Sequence, residues 1–168
     1  MPYTCTQCGQ THDELPAIGF DAPHFYYILN DEDRKKYVKK LTSDLCILAY
    51  DNQTDYFIRT VLNQKITGHD ERLQYGVWVS VSETSFNDYT EHLDAEDHKG
   101  KYMGYLSTWI SGYATTTTGI VMRIQTTGNG HRPEIVPHQG QEHLFVHDYY
   151  NGISLGEAET RVKKAMGE

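Results

Sequence analysis

Tyr75-Gly76-Val77-Trp78-Val79-Ser80-Val81-Ser82 alternates without a break. Tyr75, Val77, Val79 and Val81 fall on one side, and Gly76, Trp78, Ser80 and Ser82 on the other. That period of two belongs to a strand with one face in a core. Working outward, Thr54 to Leu62 is rich in β-branched and aromatic residues and reads as another strand. Asp51-Asn52-Gln53 joins it to the apolar run Leu45 to Tyr50, its antiparallel partner. Downstream, Ser82 caps a helix near 83–94, and Tyr102 to Ile110 fits strand or loop. Thr116 to Gln125 predicts a strand with Ile120, Met122 and Ile124 on one face.

Helices flank this middle. Asn30 is placed as an N-cap, with Asp33 at the third helical position of a helix over 31–41 whose stripe is Tyr37, Val38 and Leu41. Its acids, Asp31, Glu32 and Asp33, precede its bases, Arg34, Lys35, Lys36, Lys39 and Lys40, as the helix dipole favours. Further helices are expected near 141–150 and 155–166, the last striped by Leu155, Ala158, Val162 and Ala165. Strands in the middle and helices at the ends predict a single α+β domain with a central antiparallel sheet. Residues 1–24 read as a cysteine-knuckle arm and 25–168 as the main body.

The 168 residues suit one domain, which at that size buries roughly 70% of its extended-chain surface. The net charge of −8 lacks the basic face that phosphate binding demands, so no nucleic-acid partner is expected. An acidic surface suits a basic protein partner instead. No apolar run reaches membrane-spanning length and no basic-then-apolar leader opens the chain, so no membrane is expected. Three cysteines, an odd number, point to a reducing, cytoplasmic setting.

Cys5-Thr6-Gln7-Cys8-Gly9 is the strongest local signal. Two thiolates at this spacing can grip one Zn²⁺ from a tight turn, and the following glycine admits positive φ. Tetrahedral zinc needs two more ligands. The expected set is Cys5, Cys8, Cys46 and His12, with His24 as alternate fourth ligand and a structural role for the ion. A redox pair and free thiols are the competing readings, the latter with Cys46 in the core.

Other groups carry weaker signals. His143 and His147 share a helix face at i, i+4, but the general-base glutamate of a zinc protease motif is out of place. Gly128 to Pro133 is a loop, not a complete phosphate motif. Its His131 and Arg132 could meet an anion. Arg59 lies inside a strand, and Trp78 and Trp109 suit a core or an interface. The possible binding residues are Arg59, Trp78, His131, Arg132 and His143.

Several segments occur together: Cys5 to Gly9 with His12, Leu41-Thr42-Ser43-Asp44-Leu45-Cys46, and Phe57-Ile58-Arg59. They continue with Gly76 to Ser82 and Phe86, Gly104-Tyr105-Leu106, Arg132-Pro133, His143-Leu144 and Gly152-Ile153-Ser154. In this order the chain resembles the bacterial domain-of-unknown-function family numbered 2199, over about residues 5–155. The resemblance implies a bacterial, cytosolic protein. It also makes the knuckle, Cys46 and His12 family features, with His24 and His147 outside the pattern. It carries no established activity.

The expected function is an acidic protein-binding module, immunity- or adaptor-like, with structural zinc. The alternative is a hydrolase on a small anionic substrate, with Arg59 or Arg132 binding and His131 or His143 as base. A third reading is metal or redox sensing through the knuckle.

Overall fold

The computed structural model describes residues 2–4 and 8–167. A hairpin opens the chain, β1 (Tyr3–Thr4) against β2 (Thr11–His12). After β3 (Ile18–Gly19) and the one-turn helix α1 (His24–Tyr27) comes α2 (Asp31–Tyr37). Asn30 caps α2 as expected, its Oδ1 accepting the Asp33 N–H at 2.8 Å. The helix stops at Tyr37, because Val38 to Leu41 leaves as strand β4 (Val38–Leu41). That strand pairs with β5 (Leu45–Ala49), with a bulge between Val38 and Lys40.

The middle of the chain holds β6 (Thr54–Lys65) and β7 (Arg72–Val81). Ser82 caps α3 (Glu83–Glu91) by accepting the Ser85 N–H at 3.1 Å. The ambiguous segment becomes β8 (Lys101–Leu106), followed by β9 (Val121–Gln125) and β10 (Glu134–Pro137). Helices α4 (Leu144–Asn151) and α5 (Leu155–Ala165) end the chain. No helix among the described residues is long and apolar enough to cross a membrane.

The chain forms a single compact α+β domain, but its sheet is not the central antiparallel one expected. β6, β7, β8 and β9 pair antiparallel in sequence order, β10 pairs antiparallel with β9, and β10 then meets β6 in parallel. The result is a closed five-stranded barrel. Closure leaves those strands no unpaired edge and wraps their apolar face around one core. The seam is narrow: Glu134 aligns with Val61, and the Val61 N–H donates to the Pro133 carbonyl at 2.9 Å. Outside the barrel, β5 and β4 extend from β6, and β3 runs parallel beside β7.

Two cores result. The inward residues Ile58, Leu62, Val77, Val79, Met122 and Ile124 join Phe86 of α3, Phe145 of α4 and Val162 of α5. The outward residues Phe57 and Trp78 pack with Cys46 and Leu48, under Phe25 of α1. Alternation along β5 splits its side chains between the two, Leu45 to the first and Cys46 and Leu48 to the second. This is why its sequence is a continuous apolar run. Burying each large apolar side chain contributes roughly 1.5–3 kcal/mol. Across the first core, Arg161 of α5 (side chain 10% exposed) pairs with Asp148 of α4 at 3.3 Å and lies over the Tyr113 ring.

Candidate functional site

Alternation on β8 sends Gly104 and Leu106 inward and leaves Met103 and Tyr105 in solvent, 58% and 50% exposed. They border a groove of about 1020 Å³ between β8, the end of β7 and the start of β6. Its floor is tight, since a Cβ on Gly104 would strike the Ser80 carbonyl of the neighbouring strand. Ser80, Val81 and Ser82 form one wall, and Asp55, Tyr56 and Glu83 the opposite rim. The lining has two carboxylates, Asp55 and Glu83, and no basic side chain. Burial, then the hydrogen bond and charge of Glu83, push the Tyr56 hydroxyl above its ordinary pKa, so it stays a neutral donor. Exposed thioether and phenol between carboxylates can hold an apolar side chain and a cation at once.

Of the residues expected from sequence to bind, Arg59 and Arg132 converge on the Ser43–Asp44 turn, and Trp78 is the strand partner of Arg59. Trp78 is fully buried, and its Nε1 donates to the Phe20 carbonyl at 2.8 Å. The expectation of a binding role gives way to a core role, because strand alternation points Trp78 into the second core. Arg59 lies flat across a shelf of two glycines on paired strands: a Cβ at Gly19 or Gly76 would stand 3.1 or 3.3 Å from its Nη2. Its Nη1 donates to the Ser43 carbonyl at 3.4 Å. Arg132 Nε donates to Asp44 Oδ1 at 2.7 Å. Burial pushes the Asp44 carboxyl up, but hydrogen bonds from Arg132 and Ser43 and the charges of Arg132 and Arg59 outweigh it and hold the pKa below its ordinary value. Arg132 is therefore already matched to a carboxylate of its own chain.

His143 caps α4, its Nδ1 accepting the Phe145 N–H at 3.0 Å, while its Nε2 meets Thr115 Oγ1 and the Thr116 carbonyl, each at 3.0 Å. Both ring nitrogens are engaged in local structure. His131 sits exposed in the turn after Gly128. None of Arg59, His131, Arg132 and His143 lines the groove.

Of the zinc set, Cys5 lies outside the described residues. Cys8 Sγ and His12 Nε2 stand 3.4 Å apart. Zinc bonds of about 2.3 Å to sulfur and 2.0–2.1 Å to nitrogen at a tetrahedral angle would place those atoms roughly 3.6 Å apart, so this pair fits. Cys46 does not join it. Its thiol is fully buried among Leu48, Phe57 and Trp78, and burial pushes its pKa up to about 12. His24, the alternate ligand, packs edge-on against Trp109 at 5.4 Å.

The groove was not anticipated from sequence. Met103 and Tyr105 are visible only once the strand over 101–106 is fixed, because outward strand residues look like any solvated pair. Two segments quoted for the family resemblance, Gly76 to Ser82 and Gly104 to Leu106, meet along it. Comparison with known sequences gives one family: residues 4–153 match DUF2199, described as an uncharacterized protein conserved in bacteria. Neither a curated protein nor a solved structure matches.

Proposed function

We propose that this chain, which belongs to the bacterial DUF2199 family, is a non-catalytic protein-binding module, immunity- or adaptor-like, that receives a basic segment of a partner protein. The observation that carries this reading is the groove that joins exposed Met103 and Tyr105 to Asp55 and Glu83 with no basic side chain. Aromatic and Met anchors supply contact area, and the charge of −8 steers a cationic partner. The module works in the cytoplasm, in keeping with Cys8 and Cys46 lying outside any disulfide. The test is a photo-crosslinking residue placed at Met103, with a control at exposed Thr160 on α5. One basic host protein should be captured from Met103, weakened by Tyr105→Ala and by added salt. Equal capture from both positions, or capture indifferent to salt, would overturn the reading.

The same reading includes a structural zinc at the arm, held by Cys5, Cys8, His12 and one further ligand. The support is the Cys8–His12 spacing. Elemental analysis of tag-free protein should find one zinc fewer in Cys8→Ser than in wild type. Equal zinc in wild type and variant would remove it.

A further inference from the structure

A second group of ligand side chains stands outside the groove and the arm. Asp88 on α3 and His92, the residue that ends it, are four apart and share a helix face. The following segment folds back to bring His98 beside them, and one ligand atom from each of the three lies within 4.8 Å of the others. Among the described residues this is the one such group of three.

The group is held from several sides. Thr126 Oγ1 donates to the His98 carbonyl at 2.8 Å and accepts the Gly100 N–H at 2.6 Å, anchoring the returning segment to the end of β9. The His92 and His98 rings stack with centroids 4.5 Å apart and planes 11° from parallel. His92 Nδ1 is 2.8 Å from the Asp88 carbonyl oxygen. A carbonyl only accepts, so the neutral ring donates from Nδ1 and keeps its lone pair on Nε2. An outer hydrogen bond of that kind is how metal-ligating histidines are oriented. The Asp88 carboxylate is oriented too, since Tyr102 donates to Oδ2 at 2.6 Å. The Tyr102 hydroxyl, its proton given to Asp88, accepts from His98 Nε2 at 2.9 Å, which leaves the His98 lone pair on Nδ1. The two rings must turn out of their stack for His92 Nε2 and His98 Nδ1 to meet an Asp88 oxygen on one ion, so binding rearranges these side chains.

We infer that Asp88, His92 and His98 form a binding site for a divalent transition-metal ion, with Tyr102 positioning the carboxylate. Two imidazoles and a carboxylate suit Zn²⁺ or its first-row neighbours rather than Ca²⁺ or Mg²⁺, which prefer all-oxygen shells. Asp88 and His92 are nearly half exposed, at 46% and 45%, while His98 is 16% exposed. Coordination positions toward solvent are therefore left for water.

The experiment uses the full chain carrying Cys5→Ser and Cys8→Ser, so that thiolates contribute nothing. It is titrated with Zn²⁺ against a chromophoric chelator, and with Co²⁺ followed by visible absorption. The expected result is one ion per chain, a cobalt spectrum of nitrogen and oxygen ligands, and affinity weakened about 100-fold or more in His92→Gln and in His98→Gln. Thermal midpoints without metal check the fold. If His98→Gln unfolds, His92→Gln, at a half-exposed position, carries the test. Unchanged affinity in His92→Gln, or no binding to the parent protein at millimolar Zn²⁺, would overturn the inference.

Discussion

The inside of the barrel and the outer side of its β6–β7 pair are built from the same strands under different rules. Inward, Ile58, Leu62, Val77 and Val79 alternate and pack into one continuous core. Outward, the same strands carry Phe57 and Trp78 under a cover, Arg59 on its glycine shelf, and Ser80 facing the groove. Closure decides the inner face, where the strands enclose one core with Phe86, Phe145 and Val162 of the helices. Local cover decides the outer face, where an additional strand or helix makes a core and its absence makes a binding surface.

The largest expected effect tests whether the outer cluster is a true core. Trp78→Ala should cost about 3–5 kcal/mol. The orphaned Phe20 carbonyl adds to the loss. Leu62→Ala, inside the barrel, should cost about 2–5 kcal/mol. Urea unfolding measures both, and a Trp78→Ala cost below 1 kcal/mol would reduce the outer cluster to a satellite.

A smaller effect probes the boundary between the faces. Gly104→Ala pushes a methyl against the Ser80 carbonyl and within 3.2 Å of both Ile124 and Val81. Strand separation should then cost about 1–3 kcal/mol. Unchanged stability by thermal unfolding would show that β8 can shift freely.

The smallest effect is electrostatic. The pKa of Asp44 is depressed in the fold, so its ionised form contributes stability above the ordinary carboxylate value. That contribution fades as pH falls through the folded-state pKa. Both partners are over a third exposed, which limits the pair to about 1 kcal/mol at most. Asp44→Asn should flatten the acid side of the stability-pH curve, and an unaltered curve would assign the pair no role.

Legibility in the sequence followed the same division. The β7 alternation, the Asn30 and Ser82 caps and the Met122–Ile124 face were readable, because each is a local pattern with a local cause. Barrel closure was not. It rests on four-residue β10 and one aligned parallel pair, Glu134 with Val61, and pairing between distant segments leaves no local signature. The 31–41 helix was read four residues too long, since the end of its stripe was claimed by pairing with β5. Cys46 looked like a ligand from its residue type and like core from its neighbours, and its surroundings favour the core. The Asp88, His92 and His98 group had a readable helical half, but the return of His98 depends on Thr126, far along the chain.

β4 carries one more consequence. As the outermost strand beyond the barrel, it offers unpaired backbone on which another chain could template itself. Lys39 and Lys40 lie exposed along it, and the Val38–Lys40 bulge breaks its regular register. A second molecule docking there would set lysine against lysine on an irregular backbone. Lysines and a bulge on an end strand disfavour edge-to-edge pairing there.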